Sequence, residues 1–191
     1  LLNAWPMGFY SPASLVKDAQ RHAVEVRPID VARSTWLCDL EPEESSPDPA
    51  KPPAVRLGLR FVQGLREESA RRIETARAER PFVHAADLAQ RAALAREELA
   101  KLAELGALAS LPEAAASRRA ALWQVAGIER DPRSLFAGAA PPEDAASLPA
   151  MSPLEETLAD YRASGLTTGP HVMTHLRDGL RKRGLISAAA L

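Results

Sequence analysis

Cysteine occurs only once, at Cys38, so no internal disulfide can form and a reducing compartment is the expected setting. Aromatic residues make up 5% of the chain, too few for the strands of a sandwich. Abundant alanine and an apolar fraction of 46% suit helices packed through small side chains. No apolar run reaches transmembrane length and no secretory leader pattern opens the chain, which fits a cytoplasmic protein with no membrane partner. A net charge of −1 excludes a uniformly basic coat for nucleic acid. Missing too are a nucleophile elbow, a Walker loop, an HExxH helix, a Cys-x-x-Cys pair and a tight carboxylate pair, so this chain alone is not expected to catalyse a reaction.

The near-zero net charge conceals opposed segments. Residues 56–80 hold seven arginines against four glutamates, whereas residues 39–48 hold five acids and no base. The basic segment contains Val62-Gln63-Gly64-Leu65, followed by Ala70 and Ile73 at helical spacing. This reads as a helix-hairpin-helix turn: Gly64, without a Cβ, can take positive φ and bring the main chain close to a phosphate. The next helix presents unpaired amides and the positive end of its dipole. The expected phosphate donors are the amides of Gly64, Leu65 and Arg66, with the side chains of Gln63 and Arg66 beside them, while Ala70 and Ile73 pack the helices together. Arg66 stands where the usual Gly-x-Gly turn has its second glycine, which costs backbone freedom and adds a cation. The bland alternative is an αα-turn without a ligand.

Patterning places this hairpin in a mainly α fold. Ser11-Pro12 caps a first helix ending near His22, with Leu15, Val16 and Ala19 on its apolar stripe. Short strands are expected at 24–26, 35–38 and 54–57, forming a small sheet against that helix. The acidic, proline-rich stretch between the second and third strands reads as a solvated insertion, or alternatively as an acidic DNA mimic. A short helical turn over 57–62 precedes Gly64, and helices follow over 67–78, 85–91 and 96–105. Pro81 stops the first of these and Gly106 ends the last in the left-handed conformation. Four short helices in two hairpins make a tandem helix-hairpin-helix unit. Ser117 caps a helix carrying Leu122, Trp123 and Val125 that Gly127 closes, and 131–150 reads as a linker in which Leu135 and Phe136 could dock on a neighbour. Ser152-Pro153-Leu154-Glu155 opens a helix with Leu154, Leu158 and Tyr161 on one face and Gly165 at its end. A last helix over 172–183 stacks Met173, Leu176 and Leu180. The domain organisation expected is a small α/β element (1–57), the hairpin module (58–112), a packing helix (113–130), the linker and a helical connector (151–191).

Glu67 and Glu68 precede Arg71 and Arg72 by four residues, the spacing of helix ion pairs, so these arginines are read as solvating the helix. Arg56, Arg60, Arg66 and Arg77 lack such partners and are the candidate phosphate contacts. The second hairpin, Ala92-Ala93-Leu94-Ala95, has no glycine and is expected to serve packing first. His171 and His175 could share a metal, but no further ligand lies at a suitable spacing, and a surface role is the default. Cys38, after Trp36 and Leu37, reads as a buried thiol.

Several runs taken together resemble the C-terminal half of bacterial C-family DNA polymerases, and within them the error-prone, damage-inducible branch. They are Leu2-Asn3 with Pro6-Met7-Gly8-Phe9-Tyr10-Ser11, Val24-Glu25-Val26-Arg27-Pro28-Ile29-Asp30-Val31, Val55-Arg56-Leu57-Gly58-Leu59 leading into Gly64-Leu65, and Gly106-Ala107-Leu108. Asp160-Tyr161 through Gly165-Leu166 and Gly169-Pro170-His171 resemble the connector before the OB-fold of that branch. The resemblance implies a parent polymerase acting in translesion synthesis, DNA repair and replication, and SOS mutagenesis, with Mg²⁺ held by palm aspartates that precede Leu1. The chain starts on leucine and is expected to be a piece of that longer protein. It would comprise the end of the fingers, the tandem hairpins and helices leading toward an absent OB-fold. Its expected role is non-catalytic, sequence-independent binding of the primer-template duplex backbone. The alternative is a helical module binding other mutagenesis proteins, its hairpin purely structural.

Overall fold

Ser11 sets the first helix: its Oγ accepts from Ser14 N at 3.2 Å, and Pro12 occupies the first helical position. In the computed structural model, which describes residues 1–6, 8–42, 52–112, 117–128 and 148–186, this helix is α1, Pro12–Arg21. Short strands follow: β1, Val26–Arg27; β2, Asp39–Glu41; and β3, Ala54–Arg56. Their order is β1-β3-β2, with β1 parallel and β2 antiparallel to β3. The acidic insertion falls largely on residues 43–51, outside the described residues.

The second strand is not where its β-branched and aromatic residues pointed. The segment 35–38 instead crosses the chain at Gly58, whose added Cβ would lie 2.4 Å from Leu37 C and 2.5 Å from Trp36 O. Thr35 O and Trp36 O accept from Leu59 N and Arg60 N at 2.8 and 3.1 Å, so their hydrogen bonds go to a turn and the ladder begins at Asp39. Glu41 on β2 then bridges both other strands, 2.8 Å from Arg27 Nη1 and from Arg56 Nε and Nη2. Held first by Arg56 and then by Arg27, its carboxyl has a pKa of about 2.

The rest is helical. A 3-10 turn, Leu59–Phe61, leads through Gly64 to α2, Glu67–Glu79. Next come α3, Ala85–Arg91, and α4, Arg96–Glu104, with Gly106 at φ +72 behind it. Ser117 Oγ accepts from Ala120 N at 3.1 Å to start α5, Arg118–Ala126. A reciprocal Ser152–Glu155 cap starts α6, Pro153–Ser164, which Gly165 ends at φ +75. The last helix is α7, Val172–Lys182. The core joins these parts: Val16 and Val31 from the α/β element, Leu57, Leu59 and Val62 from the approach to the hairpin, and Ile73, Leu88, Leu99 and Leu102 from α2 to α4 are all almost fully buried. The 131–150 linker, with Leu135 and Phe136, lies outside the described residues up to 147.

Two helix faces differ from the expected stripes. On α6 the buried residues are Thr157, Ala159, Asp160 and Ala163, while Leu158 is exposed. Asp160 explains this: its carboxylate accepts from Arg118 Nη1 and Thr167 Oγ1 at 2.5 Å each, turning a polar and small-residue face inward. On α7 none of the stripe is buried; Met173 and Leu176 are 40% exposed. Trp123 on α5 is exposed as well, leaving Ala121 and Val125 as its core residues.

Candidate nucleic-acid interface

The first hairpin closes with Leu65 N donating to Val62 O at 3.2 Å across Gly64. Gly64 sits at φ +81, a conformation that side chains resist, and a Cβ there would meet nothing within 4 Å. The glycine is therefore required by conformation, not by crowding, and open space lies above it. Gln63 and Gly64 are exposed while Leu65 turns into the core, so the bend faces outward. Gly64 N has no partner among the described residues. Gln63 N does have one, donating at 2.8 Å to Ala163 O near the end of α6.

Arg66, the N-cap of α2, has φ −80 and ψ 149. That is ordinary extended backbone, so the expected loss of freedom at a missing second glycine is not incurred. What surrounds the cap departs further from expectation. Glu98 of α4, buried to 4% exposure, places Oε1 3.3 Å from Arg66 N, 3.4 Å from Arg66 Nε and 2.7 Å from Ser69 Oγ. Its Oε2 accepts from Ala95 N, the N-cap residue of α4, at 2.8 Å. Burial pushes this carboxyl up, but bonds from Ala95 N, Ser69 Oγ and both Arg66 nitrogens hold it below the usual range. The Leu65 and Arg66 amides, expected to face a phosphate, are thus engaged inside the protein. Glu67 and Glu68 add carboxylates to the first turn of α2 and already complement its dipole. The Gly64 amide stays unpartnered among the described residues, Gln63 is exposed with its Nε2 3.9 Å from where a Cβ of Gly165 would stand, and the Arg66 side chain is 67% exposed.

The remaining candidate cations are structural. Arg56 is 7% exposed and bonds Glu41 and, at 2.7 Å, Pro28 O. Arg77 donates to Val31 O and Ser34 O at 2.8 and 3.0 Å, and burial lowers its pKa. Arg60 clamps the amino-terminal segment through Asn3 O and Trp5 O at 2.7 and 3.1 Å, with its guanidinium 5.9 Å from the Phe61 ring centre. Sequence separation hid these partners, since a carbonyl acceptor 46 or 57 residues away leaves no local pattern. Arg71 does pair with Glu67, at 3.2 Å, and with Glu74. Arg72 does not meet Glu68; it donates to Ala92 O at 2.7 Å, Ala93 O at 3.2 Å and Ser69 Oγ at 3.0 Å.

The second hairpin carries Ala93 at φ +46, the place that Gly64 holds in the first. Counting from the caps Arg66 and Ala95 aligns Leu65 with Leu94, Ser69 with Glu98, Ala70 with Leu99 and Ile73 with Leu102. Ser69 and Glu98 are hydrogen-bonded to each other, and the paired apolar residues are all buried. The two hairpins thus meet through corresponding positions. Glu three residues after a cap is a helix-start signature, and it was the available signal for Glu98.

The histidines serve locally. His175 Nε2 lies 3.1 Å from Thr157 Oγ1, and His171 Nδ1 accepts from Met173 N. Cys38 is half-buried, with Gly58 N donating to its Sγ at 3.4 Å, and burial raises its pKa. No group of three or more His, Cys, Asp or Glu among the described residues could hold a metal ion. No helix of the described residues is long and apolar enough to cross a membrane.

Known proteins are similar to this chain in sequence. Along its full length of 191 residues the chain is 50% identical to an error-prone DNA polymerase of Azoarcus sp. and 46% identical to one of Pseudomonas syringae pv. tomato. It is 46% identical over 183 residues to one of Pseudomonas aeruginosa. The chain spans 18% of the length of the first two relatives and 17% of the third. The family model described as helix-hairpin-helix motif matches residues 23–121, more than half of the chain, from the residues just before β1 through both hairpins into α5. The chain belongs to the helix-hairpin-helix motif family, a DNA-binding motif, and is homologous to a segment of error-prone DNA polymerases.

Proposed function

We propose that this chain is a non-catalytic, sequence-independent binding segment for the duplex DNA backbone within an error-prone, translesion DNA polymerase, holding primer-template DNA in the cytoplasm. The observation that carries the reading is the outward Gly64 bend, which has open space above it and an amide unpartnered among the described residues, with the exposed Gln63 and Arg66 on either side of it in the chain. Such groups fit a phosphate and cannot distinguish bases, which suits a polymerase that must hold any sequence. The names of the homologues support the choice of DNA.

Titration of the full chain with duplex DNA at several salt concentrations tests this. Affinity falls by about 0.9 log unit per log unit of salt for each phosphate neutralised. Absence of binding at low salt, or a flat salt response, overturns the reading. Arg66→Ala weakens binding while the circular dichroism stays that of the parent, because the side chain is 67% exposed and its one side-chain bond, to Glu98, is 3.4 Å long. A second reading, docking of another mutagenesis protein, is favoured by α7, which has no buried residue and leaves Met173 and Leu176 exposed. On that reading a charge at Leu176 abolishes partner capture and leaves DNA affinity untouched.

A further inference from the structure

We infer that Glu98 is a positioning residue for DNA binding: from the second hairpin unit it holds the Arg66 side chain by Nε and leaves the two terminal nitrogens free to take a phosphate as a fork. The inference rests on the duplex-binding reading above and names the device that would make its main cation effective. Arg66 is the N-cap of α2 and its side chain is 67% exposed, yet it is not adrift. Glu98 Oε1 receives both its main-chain N and its Nε, at 3.3 and 3.4 Å. Nη1 and Nη2 bond no described residue. A guanidinium fixed through Nε presents those two nitrogens side by side, the geometry that matches two phosphate oxygens.

Glu98 is itself immobilised. It is buried to 4% exposure, and its remaining bonds to Ser69 Oγ and Ala95 N tie the starts of α2 and α4 together. Ser69 Oγ in turn accepts from Arg72, whose other bonds reach the carbonyls of Ala92 and Ala93. A continuous set of hydrogen bonds thus runs from the second hairpin to the exposed Arg66 guanidinium, two residues after Gly64. An acid near a DNA-binding surface ordinarily repels phosphate, so the sign of its effect separates positioning from simple electrostatics.

The test compares duplex affinity of the full chain with that of Glu98→Gln, Arg66→Ala and the double variant, at one low salt concentration, with melting temperatures recorded alongside. Positioning predicts that Glu98→Gln weakens binding by about fivefold, although it removes a negative charge, and that this loss vanishes once Arg66 is alanine. A merely structural Glu98 would weaken both backgrounds equally, and a merely repulsive one would make Glu98→Gln bind more tightly; either result overturns the inference. Arg66→Lys provides the arm that survives a folding defect at position 98, because it changes only an exposed side chain. Lysine cannot bond Glu98 and present a fork at once, so it loses most of what Arg66→Ala loses; affinity equal to the parent overturns the inference. If the parent chain itself binds no duplex, the duplex-binding reading fails; if it binds and only the Glu98 and Arg66→Lys expectations fail, positioning alone is wrong.

Discussion

The two hairpins share a backbone and differ in chemistry. Each passes through a left-handed residue, Gly64 in one and Ala93 in the other, and then turns a buried leucine inward. Around Ala93 the carbonyls of Ala92 and Ala93 are held by Arg72, so that bend is bound into the protein. Above Gly64 nothing lies within reach of a Cβ, and its amide is unpartnered among the described residues. One hairpin is a joint and the other is a surface, and the exchange between them is reciprocal: α2 supplies Arg72 to the second, α4 supplies Glu98 to the first. A bend fixed from behind can present polar groups to an anion without reorganising, which is the condition for an efficient contact.

The strongest way to break this comparison is through the shared core. Ile73 and Leu102 occupy corresponding positions and neither is accessible to solvent. Ile73→Ala and Leu102→Ala each lower unfolding free energy by about 2–5 kcal/mol. Urea melts should place the two losses within about 2.5 kcal/mol of each other, the spread seen for one truncation at different buried sites. A difference of several kcal/mol would show that the correspondence is one of backbone only.

Next in size is Arg72. Removing it at Arg72→Ala strips three hydrogen bonds and leaves the part-buried Ala92 carbonyl without this donor, a loss of about 1–3 kcal/mol. Arg66→Ala, by contrast, removes a single long bond from an exposed guanidinium to Glu98 and costs about 0–1 kcal/mol while removing DNA affinity. Paired melts and duplex titrations of the two variants therefore separate joint from surface. Equal destabilisation by both would erase the distinction.

The bends themselves give a smaller effect with opposite signs. Gly64→Ala forces a Cβ into a left-handed bend and costs about 1–2 kcal/mol, despite the open space around it. Ala93→Gly relieves the same strain and, after the entropy of the more flexible unfolded chain, raises stability by about 0.5 kcal/mol. Two melts decide this, and a stabilising Gly64→Ala would sink the account of why glycine stands there.

Local signals made much of this legible. Ser11-Pro12 and Ser152-Pro153 with Glu155 marked helix starts that the structure has, and Gly106 and Gly165 marked ends. The Gly64 bend was legible for the same reason, since positive φ selects for glycine within a few residues. Partners distant in sequence were not. Arg56, Arg60 and Arg77 looked free because their acceptors Glu41, Asn3 and Val31 lie far along the chain. Ala93 hid a left-handed bend behind a residue that does not advertise one, and Asp160 turned α6 by pairing with Arg118 across a separation of 42 residues. The segment 35–38 has strand composition, yet Gly58 brings another chain so close that its hydrogen bonds go there instead.

The smallest expected effect is a local one, in acid. Glu98 feels burial, which raises its pKa, and bonds from Ala95, Ser69 and Arg66, which lower it further than burial raises it. The folded value is therefore below the ordinary glutamate value of 4.5, so the carboxylate's contribution is fully present above that value and is lost as pH falls through the lower folded one. The groups facing it are Arg66 directly and Arg72 through Ser69, so Glu98 is the one carboxyl of this hydrogen-bonded set. Protonation weakens the acceptor for Arg66 N and Ala95 N together, because each oxygen of one carboxyl serves one of them. Amide exchange followed downward from pH 5 should show these two protons losing protection in step, while Leu94 N, which donates to Ala89 O, keeps its own. Glu98→Gln removes that acid dependence. Were Arg66 N to lose protection while Ala95 N kept it, the two hairpins would not share one carboxylate staple, and each would have to be explained alone.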